Sequence, residues 1–177
     1  LNDAFGHHQQ LHCTYNHHEQ ACAIAAEGYA RYSGNIAAVC VTTGPGGTNA
    51  ITGVLGGWLD SIPMFIISGQ VRYDTTARYN EQFTKGYTLR AVGDQEFDIT
   101  KAISAMCKYA VMLENPTSIK YILEKALYIA TTGRPGPVWI DIPVDYQGAV
   151  IETDELIGYY GSSDQEADKK ILPVEVS

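Results

Sequence analysis

The sequence predicts an α/β domain whose mainly parallel sheet is flanked by helices on both faces. Two apolar runs, residues 36–41 and 63–68, are continuous rather than alternating, which is typical of strands covered on both faces in a parallel sheet. Segments with helical character stand between the apolar runs, and this strand–helix succession favours an α/β architecture. The chain has 177 residues, of which 45% are hydrophobic, and this is enough to bury one sizeable core.

The N-terminal part is predicted to contain a short strand and a long helix. Residues 1–10 look like the frayed end of a helix broken at Gly6, and the alternation in residues 11–15 favours a strand. An Ala-rich helix is expected over residues 18–32 and should end at Gly34, since a glycine with positive φ commonly terminates a helix. We expect its buried face to consist of residues at helical spacing: Ala21, Ile24, Ala25, Gly28 and Tyr29.

The rest of the chain continues the alternation. A glycine-rich turn at residues 42–49 leads from the first apolar run into a helix over 48–59. Residues 71–96 are polar and lack a period, and a connection of this length inside a domain is usually functional or mobile. Asn115 and Pro116 are typical of a helix start. The remaining predicted elements are a helix over 97–107, a strand over 109–113, a helix with the apolar stripe Ile119, Ile122, Leu123, Ala126, Leu127 and Ala130, and a strand over 138–142.

The composition narrows the possible partners and the compartment. The net charge is −8 and no run of Lys or Arg occurs, which argues against nucleic acid because binding the phosphate backbone requires a basic surface. No apolar run approaches the ~20 residues of a membrane span, so no membrane partner is expected. The four cysteines are scattered without a CxxC pair, which favours reduced thiols in a cytoplasmic protein.

The predicted topology places a ligand site at one edge of the sheet. Residues 16–20, 42–49 and 68–70 all follow predicted strands, and ligands in α/β domains bind beyond the carboxyl ends of strands. The glycine-rich turn nearly matches the dinucleotide pattern GxGxxG, but Asn49 stands in place of the third glycine and no acid ends the next strand. Three interpretations of this turn therefore remain open: a nucleotide-binding loop, a plain tight turn, and part of a site for another kind of ligand.

Glu19 stands where an extended segment turns into the Ala-rich helix. It either complements the helix dipole, which is common and worth under ~1 kcal/mol, or is a desolvated acid with a raised pKa that acts as a proton donor or strong hydrogen-bond partner. Asp141 is interpreted as a buried, hydrogen-bonded acid rather than a catalyst. We predict no metal site on this chain, because the histidines lack ligand spacing: His7, His8, His12, His17 and His18.

A series of short motifs occurs in order across roughly residues 11–146. They are His18-Glu-Gln20, Ala25-Ala-Glu-Gly-Tyr-Ala-Arg31, Thr43-Gly-Pro-Gly-Gly-Thr-Asn49, Asp60-Ser-Ile-Pro63, Ser68-Gly-Gln-Val71, Gln95-Glu96, Lys108 and Gly133-Arg-Pro-Gly-Pro-Val-Trp-Ile-Asp-Ile-Pro143. Each is weak by itself, but together they resemble the N-terminal, pyrimidine-binding (PYR) domain of thiamine-diphosphate-dependent enzymes of the acetolactate synthase and pyruvate oxidase group.

The resemblance implies roles for named residues. Glu19 matches the glutamate that hydrogen-bonds N1′ of the cofactor's aminopyrimidine, and it is expected to be catalytic. Gln95 matches a glutamine that reaches toward cofactor and substrate. The cofactor, thiamine diphosphate, would carry the decarboxylation of a 2-keto acid and the transfer to an acceptor, while the protein supplies orientation and proton control. Besides Glu19, the residues expected to bind the cofactor are Thr43, Gly44, Pro45, Gly46 and Asn49.

The resemblance also implies parts that this sequence does not contain. Because the first residue is Leu1, residues 1–147 are interpreted as a PYR domain lacking its first strand, and residues 148–177 as an acidic linker or tail toward a middle domain. A separate C-terminal domain would hold Mg²⁺ and the diphosphate. In this family the site forms between two subunits, so we expect a homodimer or homotetramer in which each site also uses the second subunit's diphosphate-binding domain.

The expected enzyme is a thiamine-diphosphate-dependent transferase or lyase, acetolactate synthase-like, with a 2-keto acid substrate. The fragment alone is expected to be inactive, since it carries half a site. Two alternatives remain open: a Rossmann-type nucleotide-binding module, and a PYR-like interaction domain without chemistry.

Overall fold

A computed structural model describes residues 1–171 of the chain. Within them, the strands are β1 (Ala37–Val41), β2 (Met64–Gln70), β3 (Tyr109–Met112) and β4 (Val138–Pro143). They form one parallel sheet with the spatial order β1-β2-β4-β3. The predicted α/β class with a mainly parallel sheet is therefore confirmed.

Helices cover both faces of this sheet. They are α1 (Asn2–His7), α2 (Glu19–Ser33), α3 (Pro45–Leu59), α4 (Ala77–Asn80), α5 (Ile99–Ile103), α6 (Ile119–Thr131), α7 (Val144–Gln147) and α8 (Ser163–Ile171). On one face, α2, α3 and α5 pack around Val39 and Trp139. On the other, α6 packs on Ile67 and Ile140. The chain runs from β1 to β2 through α3 and from β3 back to β4 through α6, and right-handed crossovers in opposite directions place these two helices on opposite faces.

The structure buries a different face of α2 from the one that we predicted. Ile24 and Tyr29 are 48% and 54% exposed. The reason is the closeness of α3, because a Cβ added to Gly53 would lie 2.6 Å from the Cβ of Ala23. Two helix backbones at this separation admit only small side chains, so size decides which face is buried. The buried residues of α2 are all alanines: Ala23, Ala26 and Ala30.

Residues 11–15 do not form the predicted strand. They have no regular secondary structure, and Leu11 and Tyr15 are 50% and 73% exposed. A strand requires a neighbour for its backbone and a face to bury, and no described strand pairs with this segment. Short alternation was therefore a misleading signal. The preceding helix α1 is not broken at Gly6 but continues through it to His7.

Two element boundaries differ from prediction in a way that matters for the site. Helix α3 begins at Pro45 rather than at Thr48, so most of the glycine-rich turn lies in the first turns of a helix. Strand β2 extends to Gln70 rather than ending at Ser68. As a result, the polar residues at this edge are held by regular backbone structure and not by loose loops.

The long connection is confirmed as a segment without strands or long helices. Besides α4 it contains single 3-10 turns at Tyr73–Thr75 and Glu81–Phe83. Arg78 ties it to the domain, donating to Asp98 at 3.0 Å and to Glu114 at 2.9 Å. Asp98 also caps α5, which is shorter than predicted because residues 104–108 form a turn.

Residues 148–171 are not wholly separate from the core. Tyr159 is fully buried and packs on Tyr121 and Tyr128 of α6, with ring centroids 5.5 and 5.6 Å away. The predicted tail is thus attached at this point, while residues 172–177 lie outside the described residues. The boundary between domain and tail stays a prediction.

Helix length and the state of the cysteines bear on the predictions made from composition. Across residues 1–171, every helix is too short or too polar to traverse a lipid bilayer. The four cysteines are free thiols, with Cys13 exposed and Cys107 buried. Burial raises the pKa of the Cys107 thiol to about 12, so this side chain behaves as an apolar core residue.

Candidate functional site

The three predicted segments meet at the carboxyl edge of the sheet. Helix α2 lies along α3, so Glu19 at its start is brought beside the first turns of α3. Strand β1 ends at Val41, directly before the glycine-rich turn, and its neighbour β2 ends at Gln70. The hydroxyl of Thr43 donates to Oε1 of Gln70 at 2.9 Å. A side-chain hydrogen bond thus ties the turn to the end of β2.

Glu19 is held by the amide of Asn49. Its Oε2 accepts a hydrogen bond from Nδ2 of Asn49 at 2.7 Å, and the same amide lies 3.2 Å from Nε2 of His18. The bond from Asn49 lowers the pKa of Glu19 below its ordinary value of 4.5, since it outweighs the desolvation of a carboxylate that is only partly buried. Of the two interpretations of Glu19, the desolvated acid with a raised pKa is therefore contradicted. Near neutral pH Glu19 is an ionised hydrogen-bond acceptor.

The second carboxylate oxygen of Glu19 has no side-chain donor. Within residues 1–171, the carboxylate receives hydrogen bonds from its own backbone N–H and from Asn49, and no other side chain donates to Oε1. A Cβ built on Gly46 would lie 3.5 Å from this oxygen, an ordinary contact distance, so the first turn of α3 borders Oε1. Glu19 therefore has one oxygen fixed by the protein and one available to a ligand.

The glycine-rich turn depends on Gly44. This residue has φ +54, a conformation that L side chains rarely adopt, and it precedes Pro45 at the start of α3. A Cβ at Gly44 would also overlap the carbonyl oxygen of Gln95. The turn is thus pressed against the segment that contains Gln95, which forms a second wall of the site.

Gln95 itself stands in a strained backbone conformation. Its φ is +59, although it is not a glycine. The neighbouring Glu96 holds the segment by accepting hydrogen bonds from the backbone N–H groups of Ala77 and Val92, at 2.7 and 2.6 Å. The side chain of Gln95 is exposed. The structure therefore brings its backbone to the glycine-rich turn and leaves its side chain exposed to solvent.

A buried polar network lies beneath the glycine-rich turn and the segment that contains Gln95. The sequence predicted one member of it, Asp141, but not the network as a whole. Gln70 is 4% exposed and Asp141 is fully buried, and Nε2 of Gln70 donates to Asp141 at 2.8 Å. Ser68 donates to the same carboxylate at 2.6 Å and accepts from the indole of Trp139 at 2.8 Å. The prediction that Asp141 is a buried, hydrogen-bonded acid is confirmed. Polar residues at aligned positions of two apolar strands were the available signal.

The histidines do not assemble into a site. Among the described residues, no group of three or more His, Cys, Asp or Glu side chains is arranged to hold a metal ion. His18 lies against Asn49, as noted above, and His7 bonds to the Asp3 carbonyl oxygen of its own helix at 2.9 Å. The cluster in the sequence reflects neighbours along the chain rather than convergence in space.

These residues fit an aminopyrimidine. Such a ring offers nitrogen atoms along its edge and needs a polar partner there, together with walls that approach closely. Glu19 supplies a free carboxylate oxygen, and Gly44 and Gly46 bring backbone close without side chains. A dinucleotide fits less well, because its ribose requires an acid at the end of the next strand. That position is Gln70, whose side chain is already bonded within the protein.

Comparison with known proteins agrees with this geometry. The family model described as "Thiamine pyrophosphate enzyme, N-terminal TPP binding domain" matches residues 1–101. The acetolactate synthase large subunit of Haemophilus influenzae is 44% identical over 128 residues, which are 72% of this chain and 20% of that protein. The acetolactate synthase large subunit of Lactococcus lactis is 33% identical over 177 residues, covering 97% of this chain and 28% of that protein.

A third relative has a similar description. The probable acetolactate synthase large subunit of Methanococcus aeolicus is 38% identical over 161 residues, 86% of this chain and 25% of that protein. The chain thus spans between a fifth and somewhat over a quarter of the length of these relatives. The family model covers more than half of the chain and includes Glu19, the glycine-rich turn and Gln95. The chain therefore belongs to the family of thiamine pyrophosphate enzyme N-terminal, TPP-binding domains.

Proposed function

We propose that this chain is the aminopyrimidine-binding half of a thiamine-diphosphate-dependent enzyme that acts on 2-keto acids by decarboxylation and carboligation. The family membership and the names of the relatives support this reaction class. The observation that carries the proposal is the carboxylate of Glu19. Asn49 fixes one of its oxygens, and within residues 1–171 no side chain donates to the other, which borders the glycine-rich turn.

In this proposal Glu19 is the catalytic residue of the chain. Its free oxygen accepts a hydrogen bond at N1′ of the aminopyrimidine, and its negative charge favours a proton on that nitrogen. Asn49 orients the carboxylate and keeps it ionised by lowering its pKa. Thiamine diphosphate, when bound, supplies the acidic carbon that attacks the keto group and the electron sink for the loss of CO₂.

The remaining site residues position the ligand. Thr43, Gly44, Pro45 and Gly46 form a wall that is mostly backbone, which allows close contact with a flat ring. Gln95 stands on the opposite wall, and its exposed side chain is available to reach the substrate. The two walls together exclude water from one side of the ring.

The other side of the site belongs to a partner in this proposal. Glu19 is only partly buried and the side chain of Gln95 is exposed, so in this proposal the chain provides half an enclosure. A separate diphosphate-binding domain of a second subunit would hold Mg²⁺ and complete it, in a homodimer or homotetramer. The enzyme is proposed to act in the cytoplasm, and the isolated chain is expected to show no turnover.

Replacing Glu19 in the full-length enzyme tests the catalytic role. The variant Glu19→Gln keeps the shape but removes the charge, so exchange of the cofactor's C2 proton should slow by about 100-fold or more. Glu27 offers a matched control on the same helix, because it pairs with Arg31 at 3.0 Å instead of facing the site. Glu27→Gln should change the exchange rate by less than about twofold. Undiminished exchange in Glu19→Gln would refute the proposed role.

A further inference from the structure

The two walls of the site are joined by one buried side chain that the proposed chemistry does not use. We propose that Gln70 is a positioning residue, a crosspiece that sets the separation between the glycine-rich turn (residues 42–49) and the Gln95 segment (residues 93–98), with Asp141 anchoring it in the core. The positioning itself stands on the structure alone. Its consequence for cofactor binding rests on the proposed function.

The carboxamide of Gln70 reaches both walls at once. Its Oε1 accepts from the hydroxyl of Thr43 at 2.9 Å, on the glycine-rich turn. Its Nε2 donates to the backbone carbonyl of Phe97 at 2.9 Å, on the Gln95 segment. Since a carboxamide is planar and rigid, these two bonds fix the distance between Thr43 and Phe97.

The orientation of this carboxamide is determined by its other two bonds. Oε1 also accepts from the backbone N–H of Val71 at 2.9 Å, and Nε2 also donates to Asp141 at 2.8 Å. All four hydrogen-bonding positions of the amide are therefore filled. Exchanging the oxygen and nitrogen would set the amide N–H₂ against the Val71 N–H and the amide oxygen against a carboxylate and a carbonyl. The crosspiece can stand in one orientation only.

The anchor beneath the crosspiece is directional as well. The indole N–H of Trp139 donates to Ser68, which leaves the hydroxyl proton of Ser68 to be donated to Asp141. Asp141 thus accepts from Ser68 through one oxygen and from Gln70 through the other. All of these side chains are buried in the sheet face that supports α3 and α5. The two walls are thereby fixed to the buried core as well as to each other.

The variant Gln70→Met tests the proposal, because methionine has a similar length but makes none of the four bonds. The readout is amide hydrogen exchange on the whole chain, which requires no cofactor. We expect faster exchange by at least about tenfold at amides that close the two walls: Gly46, whose N–H bonds to Thr43, Thr48, whose N–H bonds to Gly44, and Glu96, whose N–H bonds to Gly93. The exchange rates of amides within α6 should change only by the factor that corresponds to the change in global stability.

Gln165→Met is the matched control. Gln165 also accepts a backbone N–H, that of Gly161 at 2.8 Å, but it lies in α8 away from the site. In this variant the amides of Gly46, Thr48 and Glu96 should exchange at the same rates as in the unmodified chain. If Gln70→Met changes wall and α6 amides by the same factor, Gln70 is merely structural and the proposal is wrong.

A milder variant serves if Gln70→Met does not fold. Thr43→Val removes one bond to the crosspiece, so exchange at Glu96, on the opposite wall, should rise by about fivefold, the factor that corresponds to one net hydrogen bond. Unchanged exchange at Glu96 would overturn the proposal. Titration of the same variants with thiamine diphosphate separates the two proposals. Binding that is equal in unmodified chain and Gln70→Met contradicts the crosspiece, whereas failure of the unmodified chain to bind counts against the proposed function alone.

Discussion

The two faces of the sheet differ in polarity, although the same strands form both. Toward α6, strands β2 and β4 present only apolar side chains, among them Ile67, Ile140 and Ile142. Toward α3, alternate residues of the same strands become polar at their carboxyl ends, where Ser68 aligns with Asp141. One face is therefore a packing surface along its whole length, whereas the other changes from packing to a hydrogen-bonded base for the site.

The helices on the two faces follow the same division. Helix α6 buries two isoleucines, Ile122 and Ile129, together with two alanines, whereas the buried residues of α2 are alanines only. The close approach of α2 and α3 also serves the site. Ala23 and Gly53 each lie one helical turn after Glu19 and Asn49, so the tight contact sits directly beneath the Glu19–Asn49 hydrogen bond. Small-residue packing here fixes the geometry of the Glu19 carboxylate.

The sharpest test of this contrast uses one substitution on both helices. Ile122 in α6 is 7% exposed and Ile24 in α2 is 48% exposed. We expect Ile122→Ala to reduce the free energy of unfolding by about 2–5 kcal/mol because it opens a cavity in the core. Ile24→Ala should cost less than about 0.5 kcal/mol. Urea denaturation measures both, and equal costs would show that the two helix faces are not assigned as described.

The second test concerns the tight contact between α2 and α3. Gly53→Ala places a methyl group 2.6 Å from the Cβ of Ala23, so it should destabilise the fold by about 1–3 kcal/mol. It should also move the pKa of Glu19 upward toward its ordinary value, as the bond from Asn49 is stretched. Gly28→Ala in α2 is the control, since nothing lies within 4 Å of its Cβ, and it should stabilise the helix by up to about 1 kcal/mol. An unchanged Glu19 titration in Gly53→Ala would break the proposed link between packing and site.

The third test uses Asp141, a buried acid on the sheet face that faces α3. Burial raises the pKa of Asp141 from 3.8 to about 7, although Ser68 and Gln70 donate to it. Between these values the folded chain holds a proton that the unfolded chain has released, so stability falls as pH rises through this window. Arg78 and Asp98 act on the same carboxylate with opposite signs.

The measurement for this third test is urea denaturation from pH 5 to pH 7. The stability of the unmodified chain should fall relative to that of Asp141→Asn by about 1 kcal/mol per pH unit. Asp154→Asn, which removes an exposed acid, should run parallel to the unmodified chain. If Asp141→Asn also runs parallel, Asp141 does not titrate in this range.

The sequence predicted the sheet and the site segments better than it predicted contacts. The continuous apolar runs identified β1, β2 and β4 because buried parallel strands leave little alternative to such runs. It failed for the buried face of α2 and for residues 11–15, where the outcome depends on how near a neighbouring element lies. Asn49 was predicted to bind the cofactor, but its contact with Glu19 required the α2–α3 packing. The role proposed for Gln70 required the alignment of β2 with β4, which no local pattern contains.

The central claim is that Glu19 and the glycine-rich turn form an aminopyrimidine site, and nuclear magnetic resonance titration of the chain tests it most directly. Thiamine diphosphate should bind weakly, in the millimolar range, and shift the signals of Glu19, residues 43–49 and Gln95, with the response reduced in Glu19→Gln and retained in Glu27→Gln. NAD should leave these signals unchanged. Saturable shifts of residues 44–49 by NAD, or thiamine diphosphate shifts that are confined to other surfaces, would contradict the account.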